Sequence, residues 1–153
     1  APPPAEPLLQ TIAQEILPRG VSGADLAAIE DGWAALIDGP VDADAVTRHG
    51  RERGGHLFAA AATILGRPDA RAREAGALWA LADLAHGHAD AAVRDRAAPQ
   101  ARAIAHVRAP WPIALRPLGM LAVLAARDAR DATRRQGHPA RLLRMLALRL
   151  IGR

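Results

Sequence analysis

The sequence predicts an all-α protein, a helical bundle, and three observations predict it. Half of its 153 residues are apolar but only 3% are aromatic, so the core must consist mainly of Ala, Leu, Ile and Val. Ala and Leu lead the ranking of helix propensities, and β-branched residues are sparse. Helix-sized apolar stripes are separated by the Gly, Pro and Asp residues that begin and end helices. This length predicts one domain, residues 1–153, in which residues 1–7 form a proline-rich lead-in.

The first two helices are recognised by their ends. The first is predicted from Glu6 to Leu17, because Pro18 cannot continue an ordinary helix. Ser22 and Asp25 have the spacing of a capping box, in which each side chain accepts a hydrogen bond from the other residue's backbone. The second helix is therefore predicted to begin after Ser22 and to continue to about Ile37.

The third predicted helix is long and carries two glycines in its middle. Asp42 is placed to cap it, and it is expected to reach Leu65. Gly54 and Gly55 would each cost about 1 kcal/mol relative to Ala inside a helix. They indicate either a close approach of another backbone or a kink, with simple tolerance in a long helix as the alternative.

Two further helices follow the break at residues 66–70, "GRPDA". Asp69 is a natural N-cap for a helix from Ala70 to about His86, which has one apolar face. The next helix is predicted over roughly Ala89 to Val107, with an interruption or restart at Pro99.

The last two helices follow the proline-rich segment "APWPIALRP". One is predicted from Arg116 to about Arg135, and the other from Pro139 to Leu150, for a total of six to eight helices. The final helix has a stripe of Leu142, Leu146 and Leu150 with Leu143 beside it, flanked by arginines 141, 144 and 149. The favoured interpretation is that this stripe packs on the bundle and that the arginine stems cover the edge of the core. The alternative is a helix that lies on an anionic membrane.

Composition argues against several classes of function. The pI of 11.2 reflects the absence of Lys, Tyr and Cys, since the formal net charge is only +4. Acids are interspersed with the arginines and no basic face with aromatics is visible, so no nucleic-acid partner is expected. The only serine, Ser22, is a predicted cap, which argues against a catalytic triad. The chain opens "APPPAEP" without Met, which predicts a processed end or a fragment.

One stretch concentrates polar side chains on a helix, residues 76–90, "GALWALADLAHGHAD". Asp83 and His86 are three residues apart, and His86 and Asp90 are four apart, so each pair lies on one side of a helix. Such pairs are typical of helical metal sites. The other interpretation, which is favoured, is that this stretch is a helix end. Gly87 is then a C-terminal break and Asp90 is the cap of the next helix.

Three segments in order resemble the later part of the squalene/phytoene synthase family: "GGHLFAAAATILG", "REAGALWALADLAHGHAD" and "WPIALRPLGMLAVLAARDARD". The resemblance extends from about Leu8 to the C-terminus, and it is shared with a mitochondrial complex I assembly factor of the same fold. It implies an all-α isoprenoid synthase fold, in which two aspartate-rich helices hold Mg²⁺ against the substrate diphosphates. It also implies that this chain is the C-terminal portion of a longer protein, with its first motif upstream of Ala1.

The chain departs from the family's second motif, roughly N-x-x-R-D-x-x-x-D. Aligned on Gly76, it has Ala82 at the Asn, Ala85 at the Arg and His86 at the first Asp, and only Asp90 keeps its acid. A shift of one residue offers Asp83 for the Asn. The resemblance therefore makes Asp83, His86 and Asp90 the candidate substrate-binding residues, and it implies no catalytic residue and no metal ligand.

These observations predict a non-catalytic protein that acts as an interaction, assembly or accessory subunit, without a cofactor. The expected partner is a protein or a membrane complex, an isoprenoid or lipid ligand is an option, and the expected location is the cytoplasm, at the inner face of the membrane under the membrane interpretation. The alternative is a Mg²⁺-dependent prenyltransferase that condenses isoprenoid diphosphates. A third hypothesis is a lipid-binding helical module.

Overall fold

The computed structural model describes residues 6–106, 110–131 and 138–152, and these residues form helices and connecting turns without any strand. The π-helical turn Gly50–Gly55 joins α3 and α4 into one rod, so the described residues contain seven continuous helical segments, within the predicted six to eight. The all-α prediction is confirmed. The α-helices are α1 (Pro7–Thr11), α2 (Gly23–Ile37), α3 (Ala43–His49), α4 (His56–Ile64), α5 (Ala70–Gly87), α6 (Ala91–Ala103), α7 (Arg116–Asp128) and α8 (Pro139–Ile151).

The predicted caps begin four of these helices. Ser22 and Asp25 form the complete capping box at the start of α2. Three aspartates that precede a helix each accept a hydrogen bond from a backbone N–H of its first turn, at 2.8 to 3.0 Å: Asp42, Asp69 and Asp90. Local chemistry therefore places the helix starts where the sequence predicts them.

The predicted interruption of α6 and the predicted ends of α6 and α7 are wrong. α6 continues through Pro99 as one helix, because this residue is exposed and its missing N–H leaves a carbonyl on the solvent side. α7 ends at Asp128 rather than near Arg135, since Ala129 and Arg130 close a tight last turn. α6 ends at Ala103, before the predicted end at Val107. Val107 itself, residues 1–5 of the predicted lead-in and Arg135 lie outside the described residues.

Glycines let the π-helical turn pass between α2 and α5. A Cβ on Gly54 would overlap the carbonyl oxygen of Gly76 and would lie 2.7 Å from the Cβ of Ala80. On the other side, a Cβ on Gly32 would lie 2.7 Å from the Cβ of Arg53. The close backbone approach predicted at Gly54 is confirmed.

α5 runs through the middle of the protein and contributes to two hydrophobic clusters, with Trp79 packed against both. One cluster joins α5 to α6 and to the C-terminal half of α7. The other joins α4 and α5 to α7, to Trp111 and to Leu148 of α8. Trp111 is buried and its ring covers Gly119, where a Cβ would lie 2.6 Å from the indole. The second cluster is therefore the part of the core on which α8 rests.

Candidate functional site

The three residues singled out by sequence lie at the C-terminal end of α5 and just beyond it, where they make different contacts. His86 Nε2 donates a hydrogen bond to the backbone carbonyl of Asp128, 2.8 Å away, which ties α5 to the end of α7. Asp83 is half-buried and lies near Arg53 and His49. Its charge opposes the lowering of their pKa values by burial. Asp90 is exposed and caps α6.

The helix-end interpretation of this stretch is confirmed at two positions. Gly87 is the last residue of α5, and Asp90 accepts a hydrogen bond from the N–H of Ala92 at 2.8 Å. A group of three or more His, Cys, Asp or Glu side chains arranged to hold a metal ion does not occur in the part of the chain that the structure describes. A substrate-binding role for Asp83, His86 and Asp90 stays a prediction.

A small cavity lies beside Asp83, between α5, α7 and α8. It has a volume of about 40 Å³ and its wall includes Trp79, Leu121, Asp128 and Arg141. Because a water needs about 10–15 Å³ of space open to its centre, this cavity has room for a few waters.

A second polar cluster lies between α2, the π-helical turn and α5. The Arg53 guanidinium is stacked between two indoles, 4.3 Å from the ring centroid of Trp33 and 4.8 Å from that of Trp79. Burial lowers the pKa of the Arg53 guanidinium, and the Asp83 carboxylate opposes this shift. Such stacking is worth roughly 0.5–2 kcal/mol per ring, so Arg53 fixes α2 against α5.

His49 is fully buried next to this stack. Its Nδ1 lies 2.7 Å from the carbonyl oxygen of Gly32, and because a carbonyl only accepts, Nδ1 carries the hydrogen. Burial lowers the pKa of His49, while the Gly32 carbonyl raises it and the charge of Arg53 lowers it further. Its Nε2 has no hydrogen-bond partner among the described residues, as suits a neutral imidazole with a bare lone pair.

α8 is held at both of its ends. In its first turn, Arg141 donates two hydrogen bonds to the carboxylate of Asp128, whose side chain is 5% exposed. At its C-terminal end, Arg116 Nη1 donates to the carbonyl of Arg149 at 2.6 Å. The backbone N–H of Trp111 donates to the carbonyl of Gly152 at 2.8 Å. α8 is therefore a fixed part of the fold.

The leucine stripe of α8 faces solvent, which corrects the favoured prediction that it packs on the bundle. The exposed fractions are 61% for Leu142, 65% for Leu143, 52% for Leu146 and 74% for Leu150. These four residues are called the α8 leucine face below. The helix contacts the core through its opposite side instead, with Leu148 only 1% exposed. The contrast makes the α8 leucine face an apolar surface without a partner in the described structure.

The residues that orient α8 were missed by sequence reasoning. Asp128 follows the buried Ala125 by three residues, so it lies on the apolar side of α7. This position could have indicated a buried ion pair, since an acid on a buried stripe needs a cationic partner. The partner, Arg141, was assigned instead to the edge of the core.

Comparisons with known proteins give no relative for this chain: no family model matches it, and no curated protein or solved structure is significantly similar to it. None of the described helices has both the length and the apolar character to cross a membrane.

Proposed function

We propose that this chain is a non-catalytic helical protein that acts as an interaction, assembly or accessory subunit, and that the α8 leucine face is its contact surface. The single observation that carries the proposal is the exposure of four leucines on a helix that is anchored at both ends. Contiguous exposed apolar patches on proteins are typical of binding surfaces.

The rigid placement of α8 supports a surface that is ready to bind. An isolated helix of 13 residues is marginal in water, so a free tail of this sequence would lose ordering free energy on binding. Here Leu148 and the pair of Arg141 with Asp128 have already ordered the helix. The leucines are thus presented together, at the spacing of one helix face.

The residues at the positions of the family's second motif support the non-catalytic part of the proposal. Ala82, at the Asn position, is 3% exposed and packs in the core cluster around α5. His86, at the first Asp position, uses Nε2 to bind a backbone carbonyl of α7. Asp90 caps α6. These three positions thus have structural roles that do not involve a diphosphate.

Site-specific photo-crosslinking in cells of the source organism tests the proposal. A photoreactive amino acid replaces Leu146, and in a matched variant it replaces Ile37, which is 75% exposed on α2. We expect adducts with protein or lipid from position 146 and far fewer from position 37. Equal or absent labelling at the two positions would contradict a contact function for α8.

A further inference from the structure

We propose that the α8 leucine face binds an anionic phospholipid surface, an inference that rests on the contact function proposed above. Three arguments favour a lipid surface as the partner. They are the shape of the apolar face of α8, the sign of the charges on α8, and the repulsion expected when two copies of α8 pair.

The apolar face suits lipid because it consists of branched aliphatic side chains on a convex helix. Leu142, Leu143, Leu146 and Leu150 project from one helix, and all are more than half exposed. Acyl chains adapt to such a surface without a complementary groove, and leucines of this kind are buried at the boundary of headgroups and acyl chains in interfacial helices.

The charges of α8 are all of one sign. Residues 139–151 contain three arginines and no acid. Arg141 is engaged with Asp128, whereas Arg144 and Arg149 are exposed and make no ion pair within the described part of the chain. Their long stems can lie along the apolar face while the guanidinium groups reach lipid phosphates. A neutral lipid surface would not use this property.

A second copy of the chain fits this face less well. In a two-fold symmetric pair, the same patch meets itself, so α8 would pack against α8. Arg144 and Arg149 of each copy would then approach those of the other, without an acid on the helix to balance them. Like charges at a desolvated interface oppose association.

Co-sedimentation of the full chain with vesicles tests the inference. One vesicle is phosphatidylcholine alone, and the other contains equal parts of phosphatidylcholine and phosphatidylglycerol. We expect binding to the anionic vesicle that weakens as salt is added. Arg144→Gln with Arg149→Gln should lower the partition coefficient by about 25-fold, since each arginine near an anionic surface contributes about a factor of five. Leu142→Gln with Leu146→Gln should lower it by about tenfold per leucine.

Two controls separate these effects from general changes of the surface. Ile37→Gln removes an equally exposed apolar side chain from α2, and Arg51→Gln removes an arginine whose side chain is 70% exposed. Both should leave the partition coefficient within about twofold of the wild type, since neither residue belongs to α8. Circular dichroism of every variant checks that the helices are retained.

Three results would overturn the inference. Absence of binding to the anionic vesicle is one, and equal losses in the Ile37→Gln and Arg51→Gln controls are another. The third is a concentration-dependent dimer, seen by light scattering, that Leu146→Gln abolishes. If photo-crosslinking at position 146 gives a protein adduct while vesicle binding is absent, the lipid inference fails and the contact function stands. If both experiments are negative, both proposals fail.

Discussion

Arg141 on α8 donates two hydrogen bonds to the carboxylate of Asp128 on α7, and this buried pair decides which side of α8 meets the core. The Asp128 side chain is 5% exposed and that of Arg141 is 14% exposed. Because an ion pair that is shielded from water has a large desolvation cost, its geometry is tightly constrained. With Arg141 directed inward, the α8 leucine face is directed outward.

Loss of the arginine should therefore release α8. Arg141→Met keeps most of the apolar stem but removes the charge that pairs with the buried carboxylate, and the expected loss of unfolding free energy is about 3–5 kcal/mol. Urea unfolding measures this value, and hydrogen exchange should show faster opening of α8. Arg144→Met is the matched control, since Arg144 is exposed on the same helix, and its effect should stay within about 0.5 kcal/mol. Equal effects of the two substitutions would show that the pair does not anchor the helix.

The contact of Gly54 with Gly76 predicts a second sharp difference. Gly54→Ala places a methyl group on the Gly76 carbonyl oxygen, so one backbone must shift and the packing of α5 must loosen. The expected cost is about 2 kcal/mol or more. Gly23→Ala is the control, because nothing lies within 4 Å of a Cβ at this first residue of α2.

The control should change stability in the opposite direction. Alanine at Gly23 lowers the entropy of the unfolded chain and should stabilise the protein by about 0.4–1 kcal/mol. Thermal unfolding of the two variants tests both signs. If Gly54→Ala melts at the wild-type temperature, the π-helical turn does not approach α5 as closely as described.

The buried His49 predicts a loss of stability on mild acidification. Its pKa is lowered in the folded protein from an ordinary value of 6.5, by burial first and by Arg53 in addition, while Gly32 and Asp83 oppose the shift. Below pH 6.5 the unfolded chain takes up a proton that the folded protein does not. The free energy of unfolding therefore decreases as the pH is lowered. The slope contributed by this residue is up to about 1.4 kcal/mol per pH unit.

Urea unfolding between about pH 7 and pH 5 measures this slope. His49→Asn keeps an N–H donor for the Gly32 carbonyl but does not titrate in this range, so its stability should depend less on pH than that of the wild type. Asp25 and Asp69 do not interfere, because their pKa values are lowered from 3.8 and their contribution is lost only at more acidic pH. Identical slopes for the two proteins would show that His49 takes up its proton without unfolding.

The non-catalytic proposal predicts no diphosphate release from farnesyl or geranylgeranyl diphosphate in the presence of Mg²⁺. Sequestering several phosphate charges needs multiple carboxylate-bound cations, whereas the aligned motif keeps only Asp90. Asp90→Ala should cost only the cap of α6, about 1 kcal/mol. Turnover that Asp90→Ala abolishes, while Asp42→Ala at the cap of α3 leaves it intact, would favour the prenyltransferase hypothesis instead.

The parts of the fold that depend on neighbours in sequence could be predicted. The box of Ser22 and Asp25 and the cap of α6 by Asp90 use residues two or three positions apart, so the sequence contains both partners together. The glycine pattern similarly indicated a close approach at Gly54. The π-helical turn itself could not be predicted, because it depends on how α2 and α5 lie on either side of it.

The orientation of α8 could not be predicted from its periodicity. A leucine stripe identifies an apolar face, but it does not say whether this face meets the same chain or something else. The side of α8 that meets the core is decided by two contacts. Asp128 on α7 accepts hydrogen bonds from Arg141, and Leu148 packs in the cluster around Trp111. Both are tertiary relationships between residues that are distant in sequence.

The central claim, that α8 presents its leucine face outward, can be measured directly because the chain contains no cysteine. Leu146→Cys and Leu148→Cys are compared for their rate of reaction with a maleimide, after circular dichroism has shown that both variants are folded. We expect Leu146→Cys to react at nearly the rate of the urea-unfolded chain, and Leu148→Cys to react much more slowly, through opened states only. A protected position 146 with a reactive position 148 would contradict the account, since α8 would then pack through its leucines.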